Sequence, residues 1–476
     1  MLKDEKISDY ATMTPQERKA IEDNILSPIF NWGWKFYLMA FVLLIVIGIA
    51  AVGWIDQLRL GLVVTGLNER VFWGIYISNF IFFIGISYSG TLISAVLRLT
   101  GAEWRKPLTR MAELITVIGI LVGFSMIIID IGRLDRIYLL PLAFRFQSPL
   151  FWDFLSVSTY IVGSLIFLYV PLVPDIAIVR DRFNEMPVPT RGFRKMTFNT
   201  RKYLYRLLAV GWKGNREQRR SLEKTVSIMS IILIPVAVSC HTVIAFIFAM
   251  TWRVGWHSTI FGPYFVVAAV FSGTAAIIVA MGIIRKLYKF ERLLSYKEFR
   301  NLGLLLFALL GTYFYFTITE YFTTAYRGVS EDVELLEALF FGNFALLFWF
   351  FMIFGMIVPG IIIAVACLRY KSEKSIWAIV FASILVIVGM WVKRYIIVVP
   401  ALSRPFVEQT WTPYTPSWVE LAVTFAGVAG LVLAYGAFSK FFPLISIWEL
   451  FEEDKELEIW ETFEETKKTD KLKAKK

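Results

Sequence analysis

Ten stretches of about 20 predominantly apolar residues recur along the whole chain, and each is long enough to cross the roughly 30 Å of hydrocarbon in a bilayer. The spans fall at about 36–55, 71–98, 111–132, 151–177, 223–252, 260–284, 301–322, 335–366, 376–394 and 418–439. Charged residues make up only 18% of the chain, against the quarter usual in soluble domains. The fold class that follows is an all-α polytopic membrane protein of about ten transmembrane helices.

The net charge of +11 is distributed as a topology signal and does not point to nucleic acid. Loops after even-numbered spans are basic: Arg105, Lys106 and Arg110 follow the second, and Arg285, Lys286, Lys289 and Arg292 follow the sixth. The long loop after the fourth carries many more, from Arg180 to Arg220, whereas the loop after the seventh holds the acidic Glu331, Asp332 and Glu334. Positive loops stay inside, which places both termini in the cytoplasm of a multi-pass protein of the inner membrane. Residues 1–34 read as a cytoplasmic segment without a removable signal, and 35–440 as the transmembrane domain. Residues 441–476 read as a charged cytoplasmic tail, acidic first and lysine-rich at its end, forming a short helix followed by disorder.

A weak internal repeat runs through the spans. Ser89-Gly90-Thr91 recurs as Ser272-Gly273-Thr274, and Val173-Pro174 as Val358-Pro359, at nearly the same offset. The strings lie in spans of like direction, so the duplication is parallel. It implies two four-helix bundles, spans two to five (about 71–252) and six to nine (about 260–394), flanked by the first and tenth.

Ionisable groups inside spanning helices are costly and are functional candidates by default. Asp130 closes the third span and Asp153 opens the fourth, both at the extracytoplasmic side, as if forming the walls of one site. Arg133, in the loop between them, is placed to pair with either carboxylate or with a docked partner. His241 lies somewhat deeper in the fifth span, Glu320 near the end of the seventh and Glu337 at the start of the eighth. Lys393 and Arg394 close the ninth. A quinol that loses two electrons also releases two protons, and partly buried carboxylates or histidines can accept them. Read singly, Lys393, His257 and Glu337 are better explained as interface groups. Tyr88, Asn79 and Ser89 are mid-span residues of the kind that serves helix packing. With two histidines at unlike depths and two isolated cysteines, Cys240 and Cys367, the chain lacks the pattern of a haem, iron–sulfur, disulfide or metal site.

At these residues the chain resembles the NrfD/PsrC family of polysulfide-reductase-type membrane subunits, and within it the ten-span quinol-oxidising subunit of alternative complex III. The strings that carry the resemblance are D-I-G-R at Asp130 to Arg133, S-P-L-F-W-D at Ser148 to Asp153 and P-D-I-A-I-V-R-D-R at Pro174 to Arg182. Two more are G-W-H-S-T-I-F-G-P-Y-F at Gly255 to Phe265 and K-R-Y-I-I-V-V-P at Lys393 to Pro400. The resemblance implies a membrane protein without cofactors of its own, which binds a quinone such as menaquinone near the extracytoplasmic face. Asp153, His241 and Arg394 would line the pocket with Arg133 and Trp152, and Glu320 and Glu337 would serve a proton path. Electrons would pass to an extracytoplasmic iron–sulfur partner, in a complex with multihaem cytochrome or molybdoenzyme subunits and a second NrfD-like chain. Three positions depart from the alternative-complex-III pattern: Asp130 and Tyr88 stand where histidines are found, and Ile247 where an aspartate is found.

The resulting expectation is a quinone/quinol-binding subunit of a respiratory oxidoreductase, with Asp130, Asp153 and His241 as its proton-handling groups. A proton-coupled secondary transporter and a catalytically silent anchor of the same kind of complex are the rival expectations. Transporters usually build a midplane site from inverted repeats, whereas here the acids cluster at one face and the repeat is parallel.

Overall fold

The computed structural model describes residues 14–143, 145–187, 193–368, 372–404 and 411–451. The tail beyond residue 451, with its expected helix and disorder, lies outside the described residues. All regular structure among the described residues is helical. The principal helices are α1 (Pro15–Phe30), α2 (Trp34–Leu60), α3 (Ile75–Leu99), α4 (Thr109–Asp130), α5 (Pro149–Glu185), α6 (Phe193–Leu208) and α7 (Arg216–Ala249). They continue as α8 (Phe261–Tyr288), α9 (Tyr296–Arg327), α10 (Ser330–Phe340), α11 (Ala345–Leu368), α12 (Glu373–Ser403) and α13 (Trp418–Phe441). Ten of these, all but α1, α6 and α10, are long and apolar enough to span a membrane, and the chain is a multi-pass membrane protein.

Helices α3, α4, α5 and α7 pack as one bundle and α8, α9, α11 and α12 as a second. Helix α3 joins them by packing on α8 and α12, while α2 and α13 pair along the outside against α4. Burial follows this arrangement: 83% of the apolar window of α3 is buried, against 11% for α2. The two repeated strings meet at the seam. A Cβ on Gly273 would collide with the Ser89 side chain, and Ser89 Oγ donates to the carbonyl of Val270 at 3.3 Å. The small residues read from sequence as packing positions therefore bring the bundles into backbone contact.

Two helix ends differ from the expected spans, and both differences move candidate residues. The eighth span, expected over 335–366, is two helices. The chain turns at Phe341–Phe344, where the amides of Gly342 and Phe344 return to the carbonyls of Glu337 (2.9 Å) and Ala338 (3.1 Å). Gly342 and Asn343 favour such a break, and the Trp349 indole caps the freed Phe340 carbonyl at 3.0 Å. Glu337 thus sits exposed on α10, ahead of the spanning helix. The ninth span, expected to close at Arg394, continues nine residues further to Ser403, because Tyr395 to Leu402 is apolar enough to remain helical and buried. Lys393 and Arg394 are consequently interior residues.

One end of the structure carries the basic loops. There the segment after α13 folds back, burying Leu444, Ile445, Ile447 and Leu450. Glu449 in the short turn Ile447–Leu450 pairs with Arg98 and with Arg105 (2.5 Å). The Trp448 amide donates to Asp175 at 3.1 Å and its indole to the Pro171 carbonyl at 2.8 Å.

Candidate functional site

The half of the molecule away from the basic loops holds the candidate residues. Helix α5 starts there, and Asp153 lies four residues in, about 6 Å along the axis. Helix α7 ends there, with His241 eight residues before Ala249, and α12 ends there, with Arg394 nine residues before Ser403, each about 12–14 Å deep.

Three of the predicted residues converge with others that sequence reasoning had set aside. The His241 imidazole is 1% exposed, with its ring 5.0 Å from that of Tyr88 and 5.9 Å from that of Phe265. Arg394 lies over the opposite neighbour of this group, its guanidinium carbon 5.3 Å from the Phe265 centroid. Tyr88 packs in turn on Tyr160, with centroids 4.4 Å apart. Asp153 is 8% exposed, and its field reaches Tyr88 and Cys240. The Cys240 thiol donates to the Ser156 carbonyl at 3.1 Å, tying α7 to α5 beside Asp153.

The polar atoms of this cluster are poorly satisfied. Neither imidazole nitrogen of His241 reaches hydrogen-bond geometry, although the main chain of Phe265 lies alongside. The Tyr88 hydroxyl, Asp153 Oδ1 and all three guanidinium nitrogens of Arg394 are likewise buried without a hydrogen bond among the described residues. Native interiors pair nearly all such groups, and an unpaired buried cation is among the costliest. An aromatic file of Phe265, Phe248, Trp73 and Trp256 runs beside the cluster, with successive centroids 6.0, 5.6 and 6.1 Å apart. Donors at Arg394, proton-exchanging groups at His241, Tyr88 and Asp153, and flat apolar walls suit a planar ligand that carries hydrogen-bonding oxygens.

The other predicted residues lie elsewhere. Asp130 is half-buried, with its Oδ1 enclosed and without a hydrogen bond among the described residues as in Asp153, but the polar groups it acts on are Tyr76 and Glu420, toward α2 and α13. No hydrogen bond or ion pair among the described residues joins it to Asp153. Arg133 is exposed and forks onto Asp135 at 3.0 and 2.9 Å. Trp152 is 44% exposed on the outer face of α5, its indole donating to the Phe146 carbonyl at 2.8 Å. Glu320 accepts from Ser258 at 2.5 Å and lines a cavity of about 50 Å³ with Tyr321, Tyr264 and Lys393. Lys393 Nζ donates to the Tyr321 hydroxyl there at 2.5 Å. Consecutive residues on a helix point about 100° apart, so Lys393 turns to Tyr321 and Glu320 while Arg394 lies over Phe265 at the seam between the bundles, toward His241.

Sequence reasoning set Tyr88 aside as a packing residue, and the structure brings it against His241. That reasoning also missed Glu420, which is fully buried and accepts from Tyr414 (2.6 Å), Ser417 (2.8 Å) and Gly66 (2.7 Å). The spacing Ser417-x-x-Glu420, a capping box at the start of α13, was its mark.

A family model described as polysulphide reductase, NrfD, matches residues 63–405. Among curated relatives, a candidate dimethyl sulfoxide reductase membrane subunit from Halobacterium salinarum is 26% identical over 87% of this chain and 91% of its own. A selenate reductase subunit from Mesobacillus selenatarsenatis is 24% identical over 78% of this chain and 84% of its own. The integral membrane subunit of an Hdr-like menaquinol oxidoreductase from Archaeoglobus fulgidus is 24% identical over 88% of this chain and 97% of its own.

Proposed function

The chain belongs to the NrfD polysulphide reductase family, and from that membership together with the Arg394–His241 cluster we propose that it is the quinone-binding membrane subunit of an oxidoreductase complex. The observation that carries this reading is Arg394: a fully buried guanidinium inside a spanning helix, with no acceptor for any of its nitrogens among the described residues. A quinone carbonyl supplies the missing acceptor. The name of the Archaeoglobus relative, a menaquinol oxidoreductase subunit, favours menaquinone as the class of substrate.

On this reading the quinone ring lies against Phe265, one oxygen held by Arg394 and the other facing His241 and Asp153. Neutral imidazole and carboxylate accept the two protons that leave as quinol is oxidised, or return them when the reaction runs the other way. Tyr88 orients His241 and offers a hydroxyl for the same exchange. Electrons leave toward an iron–sulfur cluster in a partner protein docked over the 131–148 loop and the start of α5, where Arg133 and Trp152 are exposed. The basic loops face the cytoplasm, which puts the quinone site in the extracytoplasmic half of the inner membrane.

Asp153→Asn tests the assignment. It keeps the shape of the side chain and removes its capacity to accept a proton. The expected result is a complex that assembles normally and has lost quinol-dependent electron transfer; wild-type turnover in that variant would overturn the reading.

A further inference from the structure

A second, unrelated pocket of about 810 Å³ opens at the basic end, between α1, α5, α7 and the turn Ile447–Leu450. Six cationic side chains line it, Arg18, Arg180, Lys213, Arg216, Arg219 and Arg220, against three acidic ones, Glu22, Asp181 and Glu223. Arg180 is engaged by Asp181 at 2.8 Å and by the Trp212 carbonyl at 3.0 Å, and Arg219 by the Gly214 carbonyl at 3.0 Å. Lys213, Arg216 and Arg220 make no ion pair among the described residues. The wall formed by α1 is fixed in place, since Arg182 of α5 holds Glu22 at 3.1 Å and Asp23 at 2.6 Å.

The pocket is amphiphilic. Beneath the charged rim its floor is apolar, built from Pro174, Ala177 and Ile178 of α5 and from Ile447, Trp448 and Phe451. Helix α7 then runs on into the membrane with Ile228, Ile231 and Ile232 exposed by 46–58%, an apolar ridge that begins about 12 Å from Arg220. The depth is that of lipid headgroups. Helices α5 and α7, of 37 and 34 residues, exceed the roughly 20 that hydrocarbon requires, so their basic ends emerge from it. The neighbouring α6 exposes Met196, Tyr203 and Leu207 among Lys195, Arg201, Lys202 and Arg206, as helices lying in the interface do.

We propose that this pocket binds the phosphate headgroup of an anionic phospholipid, with its acyl chains laid along the exposed ridge of α7. Lys213, Arg216 and Arg220 meet the phosphate, and Trp448 sits at the glycerol level. Basic pockets between spanning helices recognise lipid headgroups by this combination of charge and depth. The competing occupant is the acidic run Glu452, Glu453 and Asp454, which follows the pocket-lining Phe451 directly.

The test uses the full chain in its native complex, reconstituted in nanodiscs of phosphatidylcholine with a minor fraction of phosphatidylglycerol or cardiolipin. Lipid retained after detergent exchange is counted by native mass spectrometry. Wild type should retain the anionic lipid and exchange phosphatidylcholine freely. The triple variant Lys213→Gln, Arg216→Gln, Arg220→Gln should lose retention by more than about tenfold at low salt. The variant Arg216→Lys, Arg220→Lys should restore most of it, and Lys286→Gln with Lys289→Gln, at another basic loop, should not change it. Equal retention in wild type and the triple variant overturns the proposal. So does displacement of the lipid by millimolar inorganic phosphate, which would mark a site for free anions. No retention in wild type, with retention appearing only in Glu452→Gln, Glu453→Gln, Asp454→Asn, would likewise overturn it, by assigning the pocket to the tail.

Discussion

The ring of Tyr88 stands edge-on to the imidazole of His241, centroids 5.0 Å apart, and neither polar end makes a hydrogen bond among the described residues. The two residues come from α3 and α7, and Tyr160 of α5 closes the other face of Tyr88. A tyrosine retained only for packing gains nothing from an unsatisfied buried hydroxyl, which costs about 1–3 kcal/mol. Tyr88→Phe is therefore expected to leave the melting temperature of the complex unchanged or raised. If the hydroxyl takes part in proton exchange, quinol-dependent turnover falls by about tenfold or more. Paired thermal and kinetic measurements on one preparation check both halves, and a drop in melting temperature without a kinetic effect would assign the hydroxyl to a structural hydrogen bond.

Arg394→Met provides the converse test. Methionine fills much of the volume over Phe265 and removes a cation that has no acceptor, so the fold should tolerate it. A hydrogen bond to a charged group contributes about 1.5–3 kcal/mol, so quinone affinity should weaken by roughly 10- to 100-fold. Titration of a quinone analogue into purified complex reads this directly, and Arg394→Lys should recover part of the loss. Unchanged affinity in the methionine variant would remove Arg394 from the site.

Asp130 makes a sharper contrast with Asp153 than their sequence positions suggest. Its electrostatic neighbours are Tyr76 and Glu420, and Tyr76 donates to Gln57 at 2.9 Å while Gln57 donates to the Ile129 carbonyl at 2.7 Å. That set ties α4 to α2 and α3 on the side away from His241. Asp130→Asn should accordingly keep turnover within about twofold of wild type, well short of the 10²–10⁴ associated with loss of a proton-transfer group. Steady-state quinol oxidation decides it, and a loss matching that of Asp153→Asn would restore the view of two carboxylates facing one substrate.

Much of this arrangement was legible in the sequence because hydrophobic length and loop charge act locally along the chain. The ten spans follow from runs of apolar residues, and Ser89-Gly90-Thr91 with Ser272-Gly273-Thr274 foretold the division into two bundles, though not that the two strings would meet at the seam between them. What sequence could not supply was azimuth. Counting residues puts Asp130 and Asp153 near adjoining ends of their helices, yet they face different neighbours, which depends on how α4 and α5 rotate against the rest. Arg394 was misplaced for a related reason. Adjacent charges at Lys393 and Arg394 look like the end of a span until tertiary packing shows each accommodated among aromatic rings, Lys393 by Tyr321 and Phe351 and Arg394 by Phe265. The fold-back of residues 442–451 was hidden because Glu449 looks like the start of an acidic tail until Arg98 and Arg105 are brought to it.

That fold-back should respond to acid with a definite sign. Burial alone would raise the pKa of Glu449, but Arg98, Arg105 and Arg110 outweigh it and hold the carboxyl below its ordinary value of 4.5. A carboxylate depressed in the folded state stabilises it fully above the unfolded pKa, and the contribution drains away as pH falls through the lower folded value. Glu449→Gln leaves the arginines without their carboxylate, and loss of one partner from a buried pair costs about 3–5 kcal/mol. The difference in stability between wild type and this variant should therefore stay level from pH 7 down to about 4.5 and shrink below it. Thermal unfolding of both proteins in detergent across that range measures the difference. A gap that closes between pH 7 and 6 would mean that Glu449 is protonated well above its ordinary value, and that the three arginines do not govern it.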